Sequence, residues 1–285
     1  MANLRDLKDR ITSIKNIKQI TNAMKMVAAA KLRKTQEAVV NARPYALQVN
    51  NMLRILQKKN NYTPHPLLIP TNPDGKELLI VVTADKGLCG SFNSAIIKFT
   101  MKYLEENKDC HLICIGSKGY DYFKKQSKCH IVSHHSIMAD SISFENLKYI
   151  KQEIVDLYDT GQYAKVFVIY NEFKSAIAQN LTHKQIIPVV PSEDTQISMV
   201  DYIYEPDQMT IITELGTKYV NTELWRILIE SSAAEQGARM TAMDNATTNA
   251  GELIEELSLL YNRERQSQIT TQIIEVASGA EAINQ

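Results

Sequence analysis

The sequence predicts an α/β protein in which one long helix at each end of the chain flanks a parallel-sheet domain, the two helices pairing as one rod. Three observations carry that expectation. Gly75 is the first glycine, and Pro44 is the only proline before Pro64, Pro66, Pro70 and Pro73, so little interrupts a helix over the first 60 residues. No proline occurs from Asp207 to Gln285. Lys and Arg outnumber Asp and Glu by 13 to 3 in the first 60 residues, whereas from Glu205 onward acids lead by 13 to 5; complementary charge favours pairing of the two ends. A two-helix rod transmits position or force and rarely carries chemistry.

The N-terminal helix is expected from Leu4, Leu7, Ile11, Ile14, Ile17, Ile20, Met24 and Val27, whose spacings of three and four make one apolar stripe. The stripe enters Ala28, Ala29 and Ala30, small enough for a neighbouring helix to approach closely. Pro44 is expected to kink the helix, which resumes through Tyr45, Val49, Met52, Leu53 and Leu56 and ends before Asn60, about 80 Å in all. In the middle, Leu78–Thr83, His111–Ile115, His130–Ser133 and Val166–Tyr170 read as short β-branched strands. Between them Ser91–Glu106, Lys118–Gln126 and Phe144–Tyr158 read as helices, the alternation of a parallel sheet. A further segment from Ser175 to Val190 is suited to an edge strand. The C-terminal helix follows Leu253, Leu257, Leu260, Ile269, Ile273, Val276, Ala280 and Ile283, with a polar patch from Asn262 to Ser267 that should face solvent or another protein. At about 110 Å it overshoots its partner. Gly216, Gly237, Gly251 and Gly279 each weaken it unless close packing compensates. The expected organisation is therefore a helix over 1–60, a linker over 61–75, the α/β domain over 76–195, a connector over 196–206 and a helix over 207–285.

Composition narrows the function. At 285 residues and 44% hydrophobic the chain can bury a sizeable core, and its formal net charge of zero gives no general nucleic-acid affinity. The longest apolar run, Leu78–Val82, is strand-sized and far short of the roughly 20 residues of a membrane span. The N-terminus lacks an apolar signal core, and Asp6 and Asp9 argue against a transit peptide. Cys89, Cys110, Cys114 and Cys129 have no zinc-ligand spacing and suit buried thiols in a reducing compartment.

Candidate chemistry is sparse. Asp85-Lys86-Gly87-Leu88-Cys89-Gly90-Ser91 lies between a strand and a helix, where amides can cradle an anion. It has neither phosphate-loop nor dinucleotide spacing, so a tight β-to-α turn is the preferred reading. Gly116-Ser117-Lys118-Gly119 is a weaker case of the same kind. His134 and His135, near Cys129 and His130, point to opposite faces of a strand and are expected to be an exposed pair, not ligands of one ion. Glu255 and Glu256 read as a solvated helix face. No nucleophile, base and acid fall into a catalytic pattern. The basic N-terminal helix has no aromatic residue before Tyr45, and the acidic helix is its readiest partner.

Two long runs then carry a family resemblance. The stretch from Ile14 to Lys34 (IKNIKQITNAMKMVAAAKLRK) is one. The other comprises Ala234-Glu235, Ala238-Arg239-Met240, Ala242-Met243, Asn249-Ala250, Leu253-Ile254, Leu257, Leu260-Tyr261-Asn262, Arg265-Gln266, Ile269-Thr270 and Ser278-Gly279-Ala280. With the Gly87-Leu88-Cys89-Gly90 turn, they resemble the γ subunit family of F-type ATP synthases, in its bacterial type. The resemblance implies an antiparallel coiled coil inserted in a ring of α and β subunits, with a Rossmann-like α/β domain at its foot that binds the ε subunit and rests on the c ring. It implies contact with β through Arg265, Gln266 and Thr270, with Met24 and Lys25 on the facing helix, and contact with the c ring through Tyr202, Tyr204 and Glu205. It further implies a central-stalk rotor with no catalytic site, cofactor, metal or nucleic acid of its own, peripheral on the cytoplasmic face of a bacterial cell membrane or, after processing, on an organellar inner membrane. Thr83-Ala84-Asp85-Lys86 and Val276-Ala277 depart from the commonest family pattern. Two other readings stand beside it: an independent nucleotide-binding α/β enzyme with a dimerising coiled coil, and a coiled-coil adaptor unrelated to ATP synthesis.

Overall fold

The computed structural model describes residues 4–59, 67, 72–107, 109–136, 147–176, 178–189, 205 and 207–283. Its elements are α1 (Leu4–Lys59), β1 (Lys76–Val82), α2 (Phe92–Glu106), β2 (Cys110–Ile115), α3 (Ser117–Phe123), β3 (His130–His135), α4 (Leu147–Asp159), β4 (Tyr163–Phe173), β5 (Gln179–Ile187) and α5 (Gln208–Ile283). The chain forms two compact units, Met1–Val27 with Met240–Gln285 and, separately, Ala28–Arg239.

In the larger unit the five strands lie in the order β3-β2-β1-β4-β5. The first four are mutually parallel, and β5 joins β4 antiparallel at the edge, within the segment expected to supply an edge strand. A parallel strand covered on both faces reads as an unbroken apolar run, which is why Leu78–Val82 is buried throughout. Alternate residues feed two cores. Leu78, Ile80, Val82, Ile113, Val166, Val168 and Tyr170 meet α4 (Leu147, Ile150, Ile154) and the α1 and α5 side chains Val49, Leu53, Val220 and Ile227. Leu79, Val81, Leu112, Cys114 and Ile169 meet Phe92 and Ile96 of α2, Phe123 of α3 and Ala234 of α5. Each large aliphatic side chain so buried stabilises the fold by roughly 1.5–3 kcal/mol.

The buried seam of α1 differs from the expected stripe. Buried or half-buried positions recur at Leu7, Ile11, Ile14, Thr21, Lys25, Ala28, Leu32, Thr35, Val39, Ala42, Ala46, Val49 and Leu53, a seven-residue repeat in which only exposed Lys18 breaks the alternation of three and four. Ile17, Ile20 and Val27, assigned to the stripe from sequence, are more than half exposed. The reason is geometric: a seam that stays on one partner must advance 3.5 residues per turn, and successive steps of three from Ile14 leave it. On α5 likewise, Leu253 and Leu260 are exposed while Met243, Ala250, Ile254, Leu257 and Tyr261 turn inward. Pro44 lies inside α1, which continues past it as expected through Tyr45, Val49 and Leu53. Its ring is on the exposed face, where water can serve the carbonyl that a missing N–H leaves. Close approach explains two α5 glycines: a Cβ on Gly237 would stand 3.0 Å from the Ala176 carbonyl oxygen, and one on Gly216 would stand 2.7 Å from Leu67 Cδ1.

At the sheet's N-terminal end His111 accounts for its own protonation state. Lys76 Nζ, which can only donate, lies 3.2 Å from His111 Nε2, so that nitrogen accepts; Nδ1 lies 2.8 Å from the Tyr163 hydroxyl. The His130 ring is 4.1 Å away. Burial, then His130 and Lys76, hold the His111 pKa below its ordinary 6.5, against an opposing pull from Asp109, and burial lowers that of His183. The unfolded chain therefore binds more protons below about pH 6.5 than the folded one. Stability contributed by the neutral rings is complete above that value and is lost as pH falls from 6.5 through the lower folded-state pKa values. Urea midpoints should fall from pH 7 to pH 5 in wild type, and less steeply in His111→Gln; equal slopes would remove His111 as a cause.

Candidate functional site

The β1–α2 turn, the stronger of the two phosphate-cradle candidates in the sequence, is closed by the protein's own side chains. Arg239 of α5 donates from Nη2 to the Gly87 and Lys86 carbonyl oxygens (3.2 and 3.5 Å) and from Nη1 to Glu235 Oε1 (2.6 Å). Burial raises the Glu235 pKa, against the pull of the guanidinium. Cys89 is buried, with Asn93 Nδ2 3.3 Å from its sulfur, and burial pushes its thiol up, away from the reactive thiolate. At the next turn the leading amides of α3 are already spent: Ser117 N–H donates to Asp85 Oδ1 (2.8 Å), Lys118 N–H to the Ala84 carbonyl (3.1 Å) and Gly119 N–H to Thr83 Oγ1 (2.9 Å). Both glycine-bearing turns thus hold the C-terminal ends of β1 and β2 together. None of this long-range pairing has a signal in sequence spacing.

The histidine pair is half-buried instead of exposed, because β3 is covered on both faces. His134 stacks on Tyr120 of α3 with centroids 4.2 Å apart, and His135 Nε2 lies 2.6 Å from Glu153 Oε2 of α4. The two rings point opposite ways, and no group of three or more His, Cys, Asp or Glu among the described residues could hold a metal ion. Glu255 and Glu256 are exposed.

What remains is surface. Arg265, Gln266 and Thr270 are all exposed on α5; with Ile269 and Ile273 they follow steps of three to five residues and share one face. The Thr270 hydroxyl donates to the Gln266 carbonyl at 2.9 Å. From Arg265 to Gly279 every residue is exposed, including Ile269, Ile273, Ile274 and Val276. Met24 is half-buried, and Lys25 pairs with Asp244 at 2.6 Å, an exposed bridge that contributes at most about 1 kcal/mol. These two groups of residues are not side by side. Thr247 Oγ1 meets Thr21 Oγ1 at 2.8 Å, and Lys8, Ile11 and Lys15 share a cleft with Ser258, Tyr261 and Asn262. The antiparallel register therefore puts Lys25 level with Asp244, about 30 Å of helix from Arg265. Of the third group Glu205 is exposed, while Tyr202 and Tyr204 lie outside the described residues. Asp207 caps α5: Oδ1 accepts from the Thr210 N–H (3.0 Å) and Oδ2 from its hydroxyl (2.6 Å), hydrogen bonds that lower the Asp207 pKa.

Two long helices with apolar residues facing outward define a protein with surfaces suited to contact with other chains. The family model for ATP synthase matches residues 3–283. The ATP synthase gamma chain of Prosthecochloris aestuarii is 44% identical over 99% of this chain and 99% of its own length, and that of Pelodictyon phaeoclathratiforme is 45% identical with the same coverage. Among solved structures, a chain of the central stalk and c-ring assembly of Tetrahymena thermophila mitochondrial ATP synthase is similar at 27% identity with a TM-score of 0.62, covering 80% of this chain and 99% of that one. One from Euglena gracilis mitochondrial ATP synthase shares the fold at TM-score 0.69 and 19% identity, over 98% and 94% of the two chains. The chain belongs to the ATP synthase gamma chain family, non-catalytic central-stalk subunits of F-type ATP synthases. No helix among the described residues is long and apolar enough to cross a membrane.

Proposed function

We propose that this subunit is the rotor shaft that couples ion-driven turning of a c ring to conformational cycling of catalytic β subunits in ATP synthesis, and in reverse couples ATP hydrolysis to ion pumping. The observation that carries the reading is the C-terminal part of α5. It continues past the level at which α1 begins, with Ile269, Ile273, Ile274 and Val276 exposed, and an apolar helix of that length needs a surrounding partner. Ile17, Ile20 and Val27 of α1 are exposed as well, at a different level of the helix pair. A shaft without threefold symmetry inside three equivalent αβ sites touches each differently and so biases each toward a different conformation; rotation moves those biases around the ring.

In this reading residues 1–60 and 207–285 form the shaft, 76–195 the foot that engages ε and the c ring, and 61–75 and 196–206 the links between them. Arg265 pairs with carboxylates of β, with Gln266 and Thr270 as hydrogen-bond partners. Met24 and Lys25 make a second contact lower on the shaft. Tyr202, Tyr204 and Glu205 meet the c ring. The complex sits on the cytoplasmic side of a bacterial cell membrane with this chain peripheral to it.

The test is co-expression of the tagged chain with α, β and ε subunits of the same organism. The expected result is a stable complex in which ATP binds to αβ, with no measurable binding to the chain alone. Recovery of the chain without α and β, or nucleotide binding by the isolated chain, would favour the adaptor or the enzyme reading.

A further inference from the structure

In the larger unit α5 is held by a chain of buried charges. Glu223 is 3% exposed, Glu230 1% and Arg226 15%. Arg226 grips Glu223 with two hydrogen bonds, Nη2 to Oε1 at 2.7 Å and Nε to Oε2 at 3.2 Å. Lys184 reaches the same Oε1 from strand β5 at 2.5 Å. Arg226 Nη1 stands 2.8 Å from Glu230 Oε2, and Arg43 of α1 stands 3.7 Å from Glu230 Oε1. The Arg226 guanidinium is the main compensation for Glu230, whose pKa burial raises against that pull. Nearby, Gln179 of β5 donates to the Ala234 carbonyl of α5 at 3.0 Å.

Around these charges lie Tyr219, Val220, Leu224, Ile227 and Leu228, an apolar surface that alone would bury the helix well. Apolar contact is non-directional, and a helix seated by it can turn or slide with little change in buried area. Buried ion pairs behave differently. A slip of one turn, about 5.4 Å, carries Glu223 and Arg226 together away from Lys184, so that Glu223 loses its partner on the sheet and Lys184 loses its carboxylate. Ion pairs in such places fix register more than they add stability.

We infer that Lys184, Glu223 and Arg226 form the joint that locks α5 to the sheet in one register, so that torque applied to the α/β domain enters the helix without slip. The inference rests on the rotor reading above. The three are positioning residues: none touches nucleotide, and they act by holding one element on another.

The test uses the complete ATP synthase carrying this chain in sealed vesicles, with ions pumped per ATP hydrolysed as the readout. Glu223→Lys places three cations together and should lower that ratio about threefold or more while hydrolysis continues. Adding Lys184→Glu to the same chain reverses the pair and should restore most of the ratio. A loss of stability or assembly alone would reduce pumping and hydrolysis in proportion and leave the ratio unchanged, which would overturn the joint. If Glu223→Lys does not assemble, Lys184→Gln, at a half-buried position that tolerates a neutral polar side chain, decides by the same ratio. Wild-type vesicles that hydrolyse ATP without pumping would instead count against the rotor reading itself.

Discussion

Gly116→Ala is expected to lower the unfolding free energy by about 4 kcal/mol, a loss at the extreme end for a single methyl group. Gly116 joins β2 to α3 at φ 101°, in backbone space that side chains rarely enter, and its new Cβ would stand 2.0 Å from the Thr83 carbonyl oxygen. Neither group can retreat. Thr83 donates its N–H to the Ile115 carbonyl at 2.7 Å, and its hydroxyl accepts the Gly119 N–H. Gly116 itself donates to the His135 carbonyl at 2.8 Å, so displacement would loosen β1, β2 and β3 together. Gly161→Ala is the control: φ is 72° but nothing lies within 4 Å of its Cβ, so only the conformational cost of roughly 1–2 kcal/mol applies. Urea unfolding of the two variants separates clash from backbone preference. A Gly116→Ala loss no larger than that of Gly161→Ala would show that the Thr83 contact relaxes freely.

The same turn illustrates what was legible in the sequence. Alternating period marks the strands and helices, because periodicity is a local signal and the apolar runs of β1 and β2 are long, while opposite charge marks the pairing of the two ends. The seam of α1 was legible only as far as Ile14. Beyond that, Ile17 and Ile20 offered an apolar choice, and the heptad instead buries Thr21 and Ala28, whose size and polarity give no hydrophobic signal. Antiparallel register is a long-range quantity, so the level of Met24 and Lys25 on the helix pair, opposite Asp244 and not Arg265, has no signal in the sequence. The histidine pair was misread as exposed because its cover comes from Tyr120 and Glu153, each more than ten residues away in the chain. Arg239 on the Gly87 carbonyl and Lys184 on Glu223 are likewise contacts between distant segments, invisible without a topology. Arg265, Gln266 and Thr270 came from family resemblance alone, since an exposed polar patch on a helix has no period that separates a contact surface from a solvated one.

Arg265→Ala should leave the isolated chain as stable as wild type, within about 0.5 kcal/mol, while lowering ATP turnover of the assembled complex about tenfold. Stability is spared because Arg265 is exposed and alanine is at least as good a helix former. Turnover falls because a guanidinium paired with carboxylates across a dry interface is among the contacts costliest to truncate. Thr270→Ala should cost less, since the hydroxyl already donates to its own helix at the Gln266 carbonyl and offers a partner only its lone pairs. The register adds a sharper expectation. Lys25 lies about 30 Å from Arg265 along the helix pair and is tied to Asp244, so the two residues share no partner. Sites so far apart contribute independently, and the turnover loss of Lys25→Ala with Arg265→Ala should equal the product of the single losses to within a factor of about two. Circular dichroism melts of the isolated variants and steady-state turnover of the complexes check both parts. A double variant no worse than Arg265→Ala alone would mean that both residues serve one contact with β, and the two-level reading of the shaft would fall.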